Sequence, residues 1–316
     1  MAKQTLIVIT GPTAVGKTDI VVNIAEHYSI PIINADSRQI YREIPIGTAA
    51  PTIDLLKRVK HYFVGNHSVT DYYSSSIYEQ DVLTLLSNNL PTNFILSGGS
   101  MMYIDAVCKG IDNIPTINSN VRNLMMEKLS NEGLDYLSNE LKKIDYEYWK
   151  IVDKKNARRV VHALEICYQT GKTYTSFRTN TIKKRPFNII KIGINRDRQE
   201  LYERINKRTI EMFNLGVVNE AKKMYEHRHL NSLNTVGYKE LFDYLDGLTT
   251  LEETIMKIQS NTRRYARKQL TWLKKDKDIR WFHPQDIDKI IGYISCLLYT
   301  SPSPRDRTRS RMPSSA

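Results

Sequence analysis

The sequence predicts an α/β fold: a P-loop NTPase-like core with a parallel sheet flanked by helices, plus an all-helical insertion domain. Three observations point there. An apolar, β-branched run, Leu6 to Thr10, leads directly into Gly11-Pro12-Thr13-Ala14-Val15-Gly16-Lys17-Thr18, which fits G-x-x-x-x-G-K-[ST] at every fixed position. A second strand–glycine–helix junction recurs at Asn93 to Ser97, Gly98-Gly99-Ser100 and Met101 to Cys108. From Asn118 to Gly171 the pattern is helical and charged, with no convincing strand.

The first junction has the context that gives its motif meaning. A strand precedes it, and a helix-compatible stretch, Asp19 to Tyr28, follows with Ile20, Val21, Ile24 and Ala25 for an inner face. Gly11 and Gly16 let the backbone wrap a phosphate and aim several N–H groups at it. The new helix adds the positive end of its dipole. Lys17 brings a mobile charge to the outer phosphate, and Thr18 offers a hydroxyl to Mg²⁺. The loop specifies a phosphate ester or diphosphate, but not which one or what is done with it.

The remaining elements follow in order. Ile30 to Ala35 reads as a strand ending on Asp36-Ser37-Arg38-Gln39-Ile40-Tyr41. Ligands of open α/β sheets gather at such carboxyl ends, so Asp36 sits where a reacting group is expected. Gly47 to Pro51 reads as a loop, Thr52 to Lys60 as partly helical, and Tyr72 to Asn89 as a helix with Ile77, Val82, Leu85 and Leu86 inside. After the insertion and a basic linker, Lys183 to Pro186, the stretch Asn188 to Ile194 returns as a strand. Arg198 to Tyr225 is an amphipathic helix or pair, interrupted near Gly216. Gly237 and Gly247 punctuate a looser region. Thr250 to Lys275 is a long helix that starts acidic and ends basic, as the helix dipole favours. Ile279 to Phe282 is a closing strand and Asp286 to Leu298 a last helix. The expected domains are a core at 1–117, the helical insertion at 118–185, the second part of the core at 186–298, and a Ser-, Pro- and Arg-rich tail at 299–316. That tail is expected to be disordered and non-native, with a natural C-terminus missing.

Composition narrows the partners. The formal charge of +12 favours a polyanion, nucleic acid first, and the chain stays basic when the four arginines of the tail are set aside. Three distant cysteines, Cys108, Cys167 and Cys296, build neither a disulfide framework nor a zinc site alone. They fit a reducing cytoplasm. No apolar stretch approaches the roughly 18 residues of a membrane span, and the N-terminal apolar run is too short for a signal peptide. No tandem repeat is visible. The helix near 263–275 sets Arg263, Arg264, Arg267, Lys268, Lys274 and Lys275 beside Tyr265 and Trp272. Cations among aromatics suit RNA with unstacked bases, and a solvated helix face is the plain alternative.

Taken in series, the motifs resemble one family. The phosphate loop, Asp36 to Tyr41, Gly47-Thr48-Ala49-Ala50-Pro51, Gly98 to Tyr103, Arg158 to Glu165, Val236-Gly237-Tyr238 and Thr262 to Trp272 look like tRNA dimethylallyltransferase, over about residues 5 to 285. Ser100 stands where that family more often has threonine, and His162 where it often has arginine. The resemblance implies transfer of a dimethylallyl group from dimethylallyl diphosphate to the N6 amine of an adenosine beside the anticodon of tRNA. Gly11, Pro12, Thr13, Ala14, Val15, Gly16, Lys17, Thr18 and Ser100 would then hold the substrate. Lys17, Thr18 and Mg²⁺ would stabilise the leaving diphosphate, Asp36 would act as general base, and Arg208 would face the diphosphate. Contacts to the anticodon stem-loop are implied at Asp36, Ser37, Arg38, Gln39, Ser100, Arg122, Arg158, Arg159, Val160, Val161, His162, Gly237, Tyr238, Arg263, Arg264, Arg267 and Lys268. Gln39 can also bond an adenine edge. The target base must be drawn out of its stacked loop, with the insertion as one side of the grip. The expected state is a cytoplasmic monomer. Two rivals remain open from the sequence: a small-molecule kinase using ATP, and a non-catalytic RNA-binding P-loop protein.

Overall fold

In the computed structural model, residues 3–90, 92–179 and 181–299 are described. The tail expected beyond them lies outside the described residues. Among the described residues six strands form one sheet in the order β3-β2-β4-β1-β5-β6. They are β1 (Thr5–Thr10), β2 (Ile32–Asn34), β3 (His61–Tyr62), β4 (Phe94–Gly98), β5 (Asn188–Ile194) and β6 (Arg280–Phe282). Every pairing is parallel. Among the described residues the helices are α1 (Lys17–Tyr28), α2 (Pro45–Thr48), α3 (Ile53–Arg58), α4 (Ser75–Asn88), α5 (Met101–Lys109), α6 (Ser119–Ile144), α7 (Tyr146–Ile151), α8 (Ala157–Thr170), α9 (Tyr174–Phe177), α10 (Arg198–Asn214), α11 (Val217–Lys223), α12 (Tyr238–Leu245), α13 (Leu251–Leu273) and α14 (Ile287–Tyr299).

The central strand shows why the sheet is buried on both faces. β1 is apolar at successive positions, and a strand sends alternate side chains to opposite sides. Leu6 and Val8 pack with Tyr78, Val82 and Leu86 of α4 and Ile104 and Val107 of α5. Ile7 and Ile9 pack on the other side with α1, Leu201 and Ile205 of α10, Ala266 of α13 and Ile290 of α14. β1 lies between β4 and β5, so the chain leaves it at the point where the sheet's winding reverses, which is where α/β sheets open a crevice.

Residues 109–184 form a compact unit separate from the rest of the described chain. Its core is Met125, Leu137, Leu141, Tyr148, Val152, Val160, Val161 and Leu164. Asn118 caps α6 by accepting the Val121 N–H, and Gly133, at φ 80°, kinks that helix.

Two expectations change, and one strand is added. The edge strand β3 is only two residues long, too short to leave a periodic signal. The loop expected at Gly47 begins inside a helical turn, α2, with Pro45 at its start. The region expected to be loose around Gly237 and Gly247 contains α12, whose Tyr238, Leu241 and Phe242 pack in a core with Ile40, Ile44 and Ile258. Its glycines flank a buried helix. Gly216, at φ 91°, does separate α10 from α11.

Candidate active site

The phosphate loop turns out of β1 through two left-handed residues, Ala14 at φ 63° and Gly16 at φ 94°. Gly16 ends the loop at the start of α1, so the first N–H groups of that helix lack an intrahelical partner. Cations hold the loop's carbonyls from outside. Lys17 Nζ donates to Gly11 O and Pro12 O, both at 2.8 Å. Arg204 Nε donates to Ala14 O at 2.9 Å, and Arg196 Nε to Val15 O at 2.8 Å. With its carbonyls engaged this way, the loop keeps N–H groups available for an anion.

A cavity of about 600 Å³ opens over this loop. Lys17, Thr18, Asp36, Gln39, Arg208, Tyr265 and Gln269 all line it. Lys17 and Asp36 therefore face one space. The Lys17 ammonium, partly open to the cavity, is lowered to about 7 by desolvation; Asp36 opposes the shift and Arg208 adds to it. Arg208 is also lowered by burial, against the pull of Asp36 and Glu211. Its guanidinium donates to Thr13 Oγ1 at 3.3 Å and to Thr48 O at 3.4 Å.

Asp36 follows the carboxyl end of β2, and its Oδ1 accepts the Arg38 N–H at 2.9 Å. Ser100 fixes the same turn from beneath. Its hydroxyl accepts the Ser37 N–H at 2.7 Å and donates to Ser37 Oγ at 2.9 Å. Ser100 is buried, and both of its side-chain bonds go to the turn that carries Asp36. Gln39 Nε2 donates to Thr48 O and Ala49 O, which ties the β2 turn to the end of α2.

The expected RNA contacts divide by exposure. Arg264, Arg267 and Lys268 on α13 are exposed, as are Arg158 and Arg159 on α8 and Arg122 on α6. Arg122 and His162 both lie against the buried Glu165, at 3.6 and 3.3 Å. Others are packed inside. Val160 and Val161 are core residues of the 109–184 unit. Tyr238 is fully buried, its hydroxyl on Glu220, which also accepts the Ile46 and Gly47 N–H groups. All three side chains are buried. Arg263 is half-buried and binds Asn206 Oδ1 at 2.7 Å, joining α13 to α10.

Sequence reasoning missed Arg196, Arg204, Lys207 and Gln269. Arg204, Lys207, Arg208 and Glu211 recur at helical spacing and line the cavity as one stripe. That spacing was readable. Arg196 stands just past the carboxyl end of β5, a position with the same warning value as Asp36.

The cavity thus combines an anion cradle, a stripe of cations and a carboxylate. Among the described residues no group of three or more His, Cys, Asp or Glu could hold a metal ion. No described helix is long and apolar enough to cross a membrane. The family model described as IPP transferase matches residues 39–276. The chain is 57% identical to tRNA dimethylallyltransferase 1 of Bacteroides fragilis, over 93% of this chain and 98% of that one. It is 60% identical to the protein of the same name from Phocaeicola vulgatus, over 92% and 98%. Among solved structures, the full-length tRNA isopentenylpyrophosphate transferase of Bacillus halodurans superposes with a TM-score of 0.69 at 33% identity, over 94% of this chain and 97% of that one. The kinase reading of the phosphate loop falls away with these matches. A phosphate cradle facing a strand-end carboxylate, in a chain matched along most of its length, has one reading: the chain belongs to the IPP transferase family.

Proposed function

We propose that this chain transfers a dimethylallyl group from dimethylallyl diphosphate to the exocyclic N6 amine of the adenosine adjacent to the anticodon in tRNA, releasing diphosphate. The observation that carries the reading is the single cavity lined by Lys17, Thr18 and Asp36. The allylic C–O bond breaks and its electron pair leaves with the diphosphate. The N6 lone pair forms the new C–N bond, and the N6 proton passes to the Asp36 carboxylate. Charge grows on the diphosphate as the bond breaks, and Lys17, Arg208 and the loop N–H groups meet it there.

Mg²⁺ fits the donors present. Thr18 supplies a hard oxygen, and this ion commonly takes few protein ligands beside substrate phosphates and water. When bound there it would neutralise part of the diphosphate charge. Arg264, Arg267 and Lys268, with Arg122, Arg158 and Arg159 in the helical unit, would grip the anticodon stem-loop electrostatically. Action as a cytoplasmic monomer belongs to the same reading.

The test is direct. The protein is incubated with dimethylallyl diphosphate, Mg²⁺ and unmodified tRNA, and the digested RNA is weighed. A gain of one five-carbon unit on the adenosine next to the anticodon is expected. Tight RNA binding without that gain would replace the reading with a non-catalytic RNA-binding protein.

A further inference from the structure

The phosphate loop and the Asp36 turn belong to different βα junctions, and transfer requires a fixed separation between them. One side chain joins the first to the glycine turn whose Ser100 holds the second. Gln269, on α13, is 1% exposed. Its Oε1 accepts the Thr13 N–H at 2.9 Å, within the phosphate loop. Its Nε2 donates to Gly99 O at 2.7 Å, at the second glycine junction. Both ends of one amide are therefore engaged, each on a different glycine turn. Tyr265, one helical turn earlier, adds a longer contact from its hydroxyl to Gly99 O at 3.4 Å.

The approach to Asp36 is close. A Cβ built on Gly99 would lie 2.8 Å from Gln269 Nε2 and 3.4 Å from Asp36 Oδ2. Gly99 is thus the thin wall through which the amide and the carboxylate share one corner of the cavity. A buried amide in such a place must keep both hydrogen bonds, because an unpaired end costs its full desolvation. Gln269 also takes the Thr13 N–H out of the set of loop donors that can face an anion.

We propose that Gln269 is a positioning residue for prenyl transfer: by gripping Thr13 and Gly99 at once, it sets the distance between the diphosphate cradle and the Asp36 carboxylate. This rests on the transfer reading of the cavity. Gln269 touches neither reacting atom, so its effect falls on alignment. Misplacement of about 1 Å can cost on the order of a hundredfold in rate.

Two variants separate this role from simple packing. Gln269→Leu keeps the bulk and removes both polar ends. Gln269→Glu keeps the acceptor for Thr13 but sets a carboxylate oxygen against Gly99 O. Amide exchange at Thr13, read by NMR on the protein without substrate, reports the grip independently of activity. Exchange should quicken by about tenfold or more in Gln269→Leu and stay near wild type in Gln269→Glu. Under saturating substrates, kcat should fall by about tenfold or more in both, with KM for tRNA within about twofold of wild type. Unchanged Thr13 exchange in Gln269→Leu overturns the grip. A kcat within twofold of wild type in the folded Gln269→Glu protein overturns the positioning role, whether or not the leucine variant folds. A wild-type protein that makes no prenylated tRNA sinks the transfer reading and this role with it, and the exchange data then still decide whether the grip exists.

Discussion

Lys17 should take up a proton when a diphosphate binds. In the free protein its pKa is lowered to about 7, chiefly by desolvation. An anion beside it favours the charged form and returns the pKa toward the ordinary lysine range of about 10. The sign follows. Below pH 7 the lysine is already charged, so binding takes up little; above pH 7 it is mostly neutral, so binding must bring the proton in. At pH 8 about nine-tenths of the free molecules carry neutral Lys17, so binding should take up close to 0.9 proton, against about 0.1 at pH 6. The affinity should accordingly weaken by up to about tenfold for each pH unit above 7. Calorimetric titration with dimethylallyl diphosphate in two buffers of different ionisation enthalpy reads the proton count directly. Lys17→Met serves as the control, because the ligand's own phosphate titrates in both proteins and cancels in the difference. If wild type and Lys17→Met take up the same number of protons at pH 8, the account of a neutral buried lysine is wrong.

Three further outcomes are expected. Asp36→Asn should retain diphosphate binding while turnover falls by about 10²–10⁴-fold, the usual range for a lost general base; single-turnover prenylation measures it, and normal turnover would remove Asp36 from the chemistry. Neutralising Arg264, Arg267 and Lys268 together should flatten the salt dependence of tRNA affinity, by about 0.7–0.9 in log–log slope for each phosphate no longer neutralised; an unchanged slope would move the RNA surface elsewhere. Arg185 donates to Ala106 O and Val107 O and pairs with Glu79 at 2.6 Å, both side chains being buried. Arg185→Met should therefore destabilise the protein by about 3–5 kcal/mol, because it breaks a buried ion pair and leaves the Ala106 and Val107 carbonyls without this donor; a denaturant midpoint equal to wild type would show that the pair adds nothing to stability.

The fold was most legible where local pattern and burial agree. β1, β5 and α1 carry apolar residues at the spacing their surroundings demand, and each stands within a residue or two of its expected bounds. α12 is masked in the sequence by Gly237 and Gly247, which read as breaks, although Tyr238, Leu241 and Phe242 recur at i, i+3, i+4. The same contrast runs through the cavity. Lys17 and Asp36 were readable because motif and strand end fix where they point. The tasks of Ser100, Gln269 and Tyr238 depend on partners 63, 256 and 18 positions away in the chain, and no local pattern encodes such pairings. Arg263, Arg264, Arg267 and Lys268 look alike as a run of charges, yet only the three-dimensional packing of α10 against α13 picks out Arg263 as a tie.

Helix α13 works on both of its sides. Arg264, Arg267 and Lys268 look outward, while Tyr265 and Gln269 reach the glycine turns within. A rod cannot be turned on one side alone: a slip of one residue would swing every side chain by about 100°, unseating the amide as it redirects the cations. Drift in the sequence of this segment is therefore constrained twice over, and a length change between Arg264 and Gln269 should be far less tolerated than any single replacement on its wet side.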